Sequence, residues 1–273
     1  MSSNLACIGL DVTDEDELDR VLELAVQRAT VVGERDGRRV LRWQDDDGAV
    51  LVLVLDRSRS LVALTPSLAA EPGAVLAGLA HVNEECWTAA VTEDGEQVTA
   101  LAADLEQSAL VHPGTSPGGR AAVVALGTAV EVFADRAAFD ASRASLLDPG
   151  REDHGDPPPQ YVEHGWSWPP RMAPESFVSY GVFAEPSQAD PTARLNGTVL
   201  RSRTGRNALT GGTFHVARVR TAGFEADLCL AASEHPEPPP PGAVVAGTVY
   251  LVVALESLPD APARRGLRLP WKR

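Results

Sequence analysis

With 273 residues, 44% of them hydrophobic, the chain can fill one or two cores; aromatics at 5% leave that work mainly to Val, Leu and Ala. A net charge of −14 disfavours non-specific nucleic-acid binding, which draws on phosphate neutralisation, and no apolar run approaches the roughly 20 residues of a membrane span. The opening MSSNLACIGLDVTDEDE has no basic n-region for export, and Cys7, Cys86 and Cys229 lack C-x-x-C spacing, so a soluble cytoplasmic protein with reduced thiols is expected.

The first 66 residues read as β-α-β-β-β. LACIGLDV (5–12) is a short apolar strand, and DEDELDRVLELAVQRA (14–29) carries Leu18, Val21, Leu22, Ala25 and Ala29 on one helical stripe. Thr13 is the expected N-cap, with acids at 14–17 suiting the positive end of the helix. Strands follow at 38–44, 49–55 and 60–66, the first two joined by the DDDG turn at 45–48. A calcium loop is excluded there, because aligning Gly48 with the sixth loop position puts Trp43 where a carboxylate is required. Further strands are expected at 75–82, 86–92, 97–105, 121–127 and 128–134, the last two as one strand bent at Gly127. A helix at 135–147 stops at Asp148-Pro149-Gly150.

Residues 149–191 hold nine of the 21 prolines, yet residues 161–183 hold six of the 14 aromatics. A disordered linker would be aromatic-poor, so this stretch is expected to be an ordered strap, with PPQY (158–161) anchoring it through Tyr161. The rest is all β: strands at 197–204, 213–221, 224–231 and 243–255, fitting a small OB-like or Greek-key barrel. Charge is uneven. Residues 1–193 carry 13 basic and 32 acidic side chains, and residues 194–273 carry 11 basic and 6 acidic.

Gly-Thr-Ser-Pro-Gly (114–118) matches the G-x-S-x-G pattern of serine hydrolases. The residue after Ser116 must give an oxyanion-hole N–H, and Pro117 has none, so the segment is read as a loop. It also lacks the Gly-Lys-Ser/Thr of a phosphate loop. None of the histidines at 81, 112, 154, 164, 215 and 235 forms a close pair with metal-ligand spacing, and HVNEEC (81–86) reads as a surface hairpin. Arg201 and Arg203 alternate on one strand, Arg218 and Arg220 on the next, a basic face of the kind that binds single strands. A tight turn at Ala222-Gly223 would instead set Arg220 opposite Glu225 and Arg218 opposite Asp227, neutralising half of it.

The β-α-β-β-β start resembles, in topology, half of the paired module of the vicinal-oxygen-chelate superfamily. The resemblance implies a metal held by a histidine on the first strand and a glutamate on the last; here LACIGLDV offers Cys7 and Asp11, and SLVALTP offers no acid. Over most of its length, through LACIGLDV, VLRWQDDDGAVLVL, AVEVFADRAAF, ESFVSYGVF and NALTGGTF, the chain resembles a family of actinobacterial proteins. That resemblance implies a recurring architecture and no particular activity.

The expectation is thus an α+β fold. Residues 1–148 form an N-terminal, mainly antiparallel domain containing β-α-β-β-β; residues 149–193 form the strap, 194–258 a small OB-like β-barrel and 259–273 a basic tail. The expected function is a non-catalytic binding or interaction protein without cofactor or metal. Its partner is another protein or a second copy, met by Trp166 and Trp168 of the strap and by Arg201, Arg203, Arg264, Arg265 and Arg268. The alternatives are a vicinal-oxygen-chelate-like enzyme and a single-strand nucleic-acid binder using the basic C-terminal part.

Overall fold

A computed structural model describes residues 3–148, 150, 151 and 154–258. Where a strand was expected at the start, residues Ala6–Ile8 form a 3₁₀ turn, closed by Gly9 at φ 77°. Ala6, Cys7, Ile8 and Leu10 are all buried, and a short apolar run buried on every side has no period to separate strand from turn. Helix α1 (Glu15–Arg28) is capped by Asp14, whose carboxylate accepts from the Glu17 N–H at 2.9 Å, one residue later than expected. Strand β1 (Thr30–Arg35) was not expected. It joins β2 (Arg38–Gln44) through Asp36 and Gly37, both at positive φ, the arrangement that D-G favours in a two-residue hairpin. With β3 (Ala49–Leu55) and β4 (Leu61–Leu68) they form a four-stranded antiparallel sheet in chain order. The observed start is therefore one helix and a four-stranded meander.

The remaining strands are β5 (Ala74–His81), β6 (Trp87–Glu93), β7 (Glu96–Leu105), β8 (Gly119–Phe133), β9 (Ser176–Ser179), β10 (Thr192–Arg206), β11 (Thr213–Thr221), β12 (Phe224–Ala231) and β13 (Val244–Leu255). Between β8 and β9 lie two short helices, α2 (Arg136–Ala141) and α3 (Pro159–His164). The helix expected over 135–147 is split: α2 ends at Ala141 and a 3₁₀ turn follows at Arg143–Ser145. All nine strands belong to one mixed sheet. The strands expected to form their own barrel are thus bonded to the earlier ones, β12 to β8 and β13 to β7 in short parallel pairings, and β13 to β8 along its whole length. The pairings run in two circuits that share β8 and β13, one through β5, β6 and β7, the other through β12, β11 and β10.

Strand β8 shows how one element serves two cores. Ala121, Val123 and Ala125 point into the main cluster with Leu101, Leu228, Leu251 and Val253. Val124 and Leu126, on the opposite face by the two-residue period, join Val252, Phe214 and Cys229 in a second cluster with Leu51 and Leu53 of the small sheet and Val21 and Ala25 of α1. The other face of the small sheet, Val40, Val50, Val52 and Val54, packs on Ala109 and Leu110. β3 is therefore covered on both sides, which is why AVLVLVL is an unbroken apolar run. At about 1.5–3 kcal/mol per fully buried aliphatic side chain, this second cluster is what holds the small sheet to the large one.

Candidate binding cleft

Three segments from distant parts of the chain converge beside the small sheet. The β5–β6 hairpin contributes His81 and Trp87, opposite one another in register, their rings edge to face at 5.1 Å. The β1–β2 turn contributes Arg35, Asp36 and Arg38; the antiparallel register sets Arg35 opposite Arg38, so the D-G turn presents both guanidiniums side by side. The segment after β7 contributes Ser108, Ala109 and Val111 to Thr115. Together they line a cleft of about 700 Å³.

The loop wall is tied down. Thr115 donates from its N–H and its hydroxyl to the His112 carbonyl, at 3.1 and 2.6 Å. The Ser116 hydroxyl donates to the Leu79 carbonyl at 2.9 Å, and the Leu79 N–H returns a bond to the Pro117 carbonyl. Ser116 thus ties the loop to β5. On the opposite side Leu110 packs against Gly33 of β1, where a Cβ would come within 3.0 Å of it.

The cleft is cationic in an acidic protein. Arg35, only 15% exposed in its side chain, gives its Nε to Asp36 at 3.2 Å, while exposed Arg38 has no carboxylate partner among the described residues. His81 and His112 add two imidazoles. Trp87 is 7% exposed and packs into the main core cluster, with its indole N–H buried and without an acceptor; an unmade bond of this kind costs about 1–3 kcal/mol.

The residues expected at a partner surface fall into two groups. In the strap, Trp166 is 58% exposed and stacks with His164 and Tyr161, while Trp168 packs on Tyr161 at 4.9 Å and donates its Nε1 to the Gly155 carbonyl at 2.9 Å. These aromatics mainly hold one another. In the second group, Arg201 binds Glu71 at 2.7 Å and holds that carboxyl below its ordinary range. Arg203 is exposed and lines a small cavity of about 170 Å³ beside Arg201, Arg218 and Asp227. Arg264, Arg265 and Arg268 lie outside the described residues.

The expected register of the β11–β12 hairpin is found, Arg218 opposite Asp227 and Arg220 opposite Glu225, but the ion pairs differ. Arg218, 4% exposed, takes both acids, Asp227 at 2.6 Å and Glu225 at 2.9 Å, and donates to the carbonyls of Glu71 and Pro72. Burial alone would lower its pKa; the two carboxylates hold it above the ordinary arginine value. Arg220 turns instead to Glu175 of the strap, with three contacts at 2.9–3.1 Å.

Sequence reasoning missed the cleft as a unit, and it missed two buried acids at the junction of the sheets. Asp104 accepts from Thr65 at 2.8 Å, and Glu106 is held by Ser67 and Arg42. Burial pushes both carboxyls up. Two acids in the otherwise apolar LAADLE were the signal. The thiols of Cys7 and Cys86 are pushed up by burial to about 12 and about 11, so neither is a ready nucleophile. No group of three or more His, Cys, Asp and Glu side chains suited to a metal is found among the described residues.

Comparison with family models, with curated proteins and with solved structures finds no match to this chain. No helix among the described residues is long and apolar enough to cross a membrane.

Proposed function

We propose that this chain is a non-catalytic binding protein whose small-molecule ligand occupies the cleft of Arg35, Arg38, His81, Trp87 and His112. The supporting observation is the convergence, in a cleft of about 700 Å³, of the guanidinium and imidazole side chains of Arg35, Arg38, His81 and His112 with the apolar Trp87, Ala109, Val111 and Pro113. Concave sites with an apolar lining and a few convergent polar groups are where small molecules bind. The hydroxyls of Thr115 and Ser116 on the loop wall are spent on backbone carbonyls, which favours binding over chemistry at these two residues.

A thermal-shift screen of a small-molecule library tests this reading, because a ligand bound only by the folded state raises Tm. Compounds are expected whose stabilisation disappears in the Arg38→Ala, His112→Ala double variant, both sites being at the rim. A screen whose hits stabilise wild type and variant equally would overturn the proposal.

The circuit of β8, β12, β11, β10 and β13 supports reading these strands as a small OB-like barrel. It lends little to single-strand binding, because Arg201, Arg218 and Arg220 are each taken by a carboxylate. The vicinal-oxygen-chelate alternative draws no support from the start of the chain, where its first metal-bearing strand is a 3₁₀ turn.

A further inference from the structure

We infer that the cleft selects a small organic oxyanion, a carboxylate or phosphate carried on an apolar or aromatic body; this rests on the cleft being the ligand site. The charge argument comes first. In a chain of net charge −14, a cavity lined by Arg35, Arg38, His81 and His112 contains one acid, Asp36. That acid is 80% exposed and pairs with Arg35 at 3.2 Å, and planar guanidiniums present paired N–H groups that match the two oxygens of a carboxylate or phosphate. Arg35 is half-buried beside the turn, which fixes its position, whereas exposed Arg38 is free to close over an occupant.

The second argument is the floor. Trp87, Ala109, Val111 and Pro113 add apolar lining to a cleft of about 700 Å³, far more room than inorganic phosphate alone would fill. A ligand that pairs an oxyanion with a ring would meet guanidinium at one end and indole at the other. A neutral ligand of the same shape would cover the floor but leave the guanidiniums in water.

Matched probes separate these contributions. Benzoate and phenyl phosphate carry the two oxyanions, and benzamide and phenol are their neutral counterparts. Titrated calorimetrically into the full chain at low salt, at least one anion is expected to bind about tenfold or more tightly than its neutral counterpart, and to weaken with added salt. Arg38→Glu should abolish that preference without lowering Tm. Preference for one anion over the other identifies the head group. If the neutral probes bind as tightly as the anions and compete with hits from the screen, the oxyanion inference falls while the cleft reading stands. If the anions bind but Arg38→Glu leaves their affinity unchanged, they sit elsewhere and the inference falls; if none of the four binds, it falls as well.

Discussion

Arg218 shows what a single residue can reveal about the fold. A guanidinium 4% exposed has lost its water, so it persists only because two carboxylates and two backbone carbonyls replace that water. Removing Arg218 leaves Asp227, 9% exposed, buried and uncompensated, at about 3–5 kcal/mol. Arg218→Ala is therefore expected to lower stability by roughly that amount in urea unfolding, far more than Arg203→Ala on the exposed neighbouring strand. Equal, small effects would show that Asp227 is solvated. The hairpin register around Arg218 was legible, because Ala222-Gly223 fixes the turn and the alternation then fixes every opposite pair. The departure of Arg220 to Glu175 was not, because nothing local to RVRTAGFEAD says which distant segment covers its exposed side.

At the scale of elements, the first apolar segment and the β10–β11 loop explain each other. Asn207, fully buried, donates from Nδ2 to the Ile8 carbonyl at 2.8 Å and accepts from the Leu209 N–H. The Thr210 hydroxyl donates to the Gly9 carbonyl at 2.6 Å. Approach is so close that a Cβ on Gly9 would stand 2.6 Å from the Gly212 carbonyl oxygen. LACIGL and NALTGG are both conspicuous in the sequence, but their contact spans 199 residues in the chain, and no periodic pattern reports it. Asn207→Ala should cost about 1–3 kcal/mol and speed amide exchange across residues 5–10 ahead of the rest of the chain. Uniform exchange in the variant would show that the clamp is incidental. β1 was hidden for a different reason: TVVGER lies exposed at a sheet edge, without alternation, and only the D-G pair after it signalled a hairpin.

At the scale of the whole molecule, the uneven charge is used internally. Basic residues after position 193 reach back to acids before it, Arg201 to Glu71 and Arg220 to Glu175, joining segments that the sequence presents as separate. The two sheets also meet through buried acids, Glu106 of the segment after β7 binding Ser67 on β4 and Arg42 on β2. Burial raises the Glu106 pKa despite both partners. Ionising it in the folded state therefore costs free energy that the unfolded chain, with a glutamate near its ordinary value of about 4.3, does not pay. Stability is thus lost as pH rises through the raised value, and regained as pH falls toward the unfolded one. Glu106→Gln, neutral throughout, should gain Tm relative to wild type as pH rises above the unfolded value of about 4.3. A gap that is constant or closes with rising pH would show that Arg42 fully compensates the charge.

The cleft is the place where these scales meet, since a turn, a hairpin end and a loop of the large sheet each supply part of it and none reads as a site alone. Its occupancy is most directly read from the indole N–H of Trp87 by ¹H–¹⁵N correlation spectra, with that signal assigned by its loss in Trp87→Phe. On titration with a hit from the screen, the Trp87 signal should shift, because its ring lines the cleft, ahead of the signals of Trp43 and Trp166, and the movement should be lost in Arg38→Ala. A ligand that binds the folded chain and leaves Trp87 unmoved would contradict the assignment of the site.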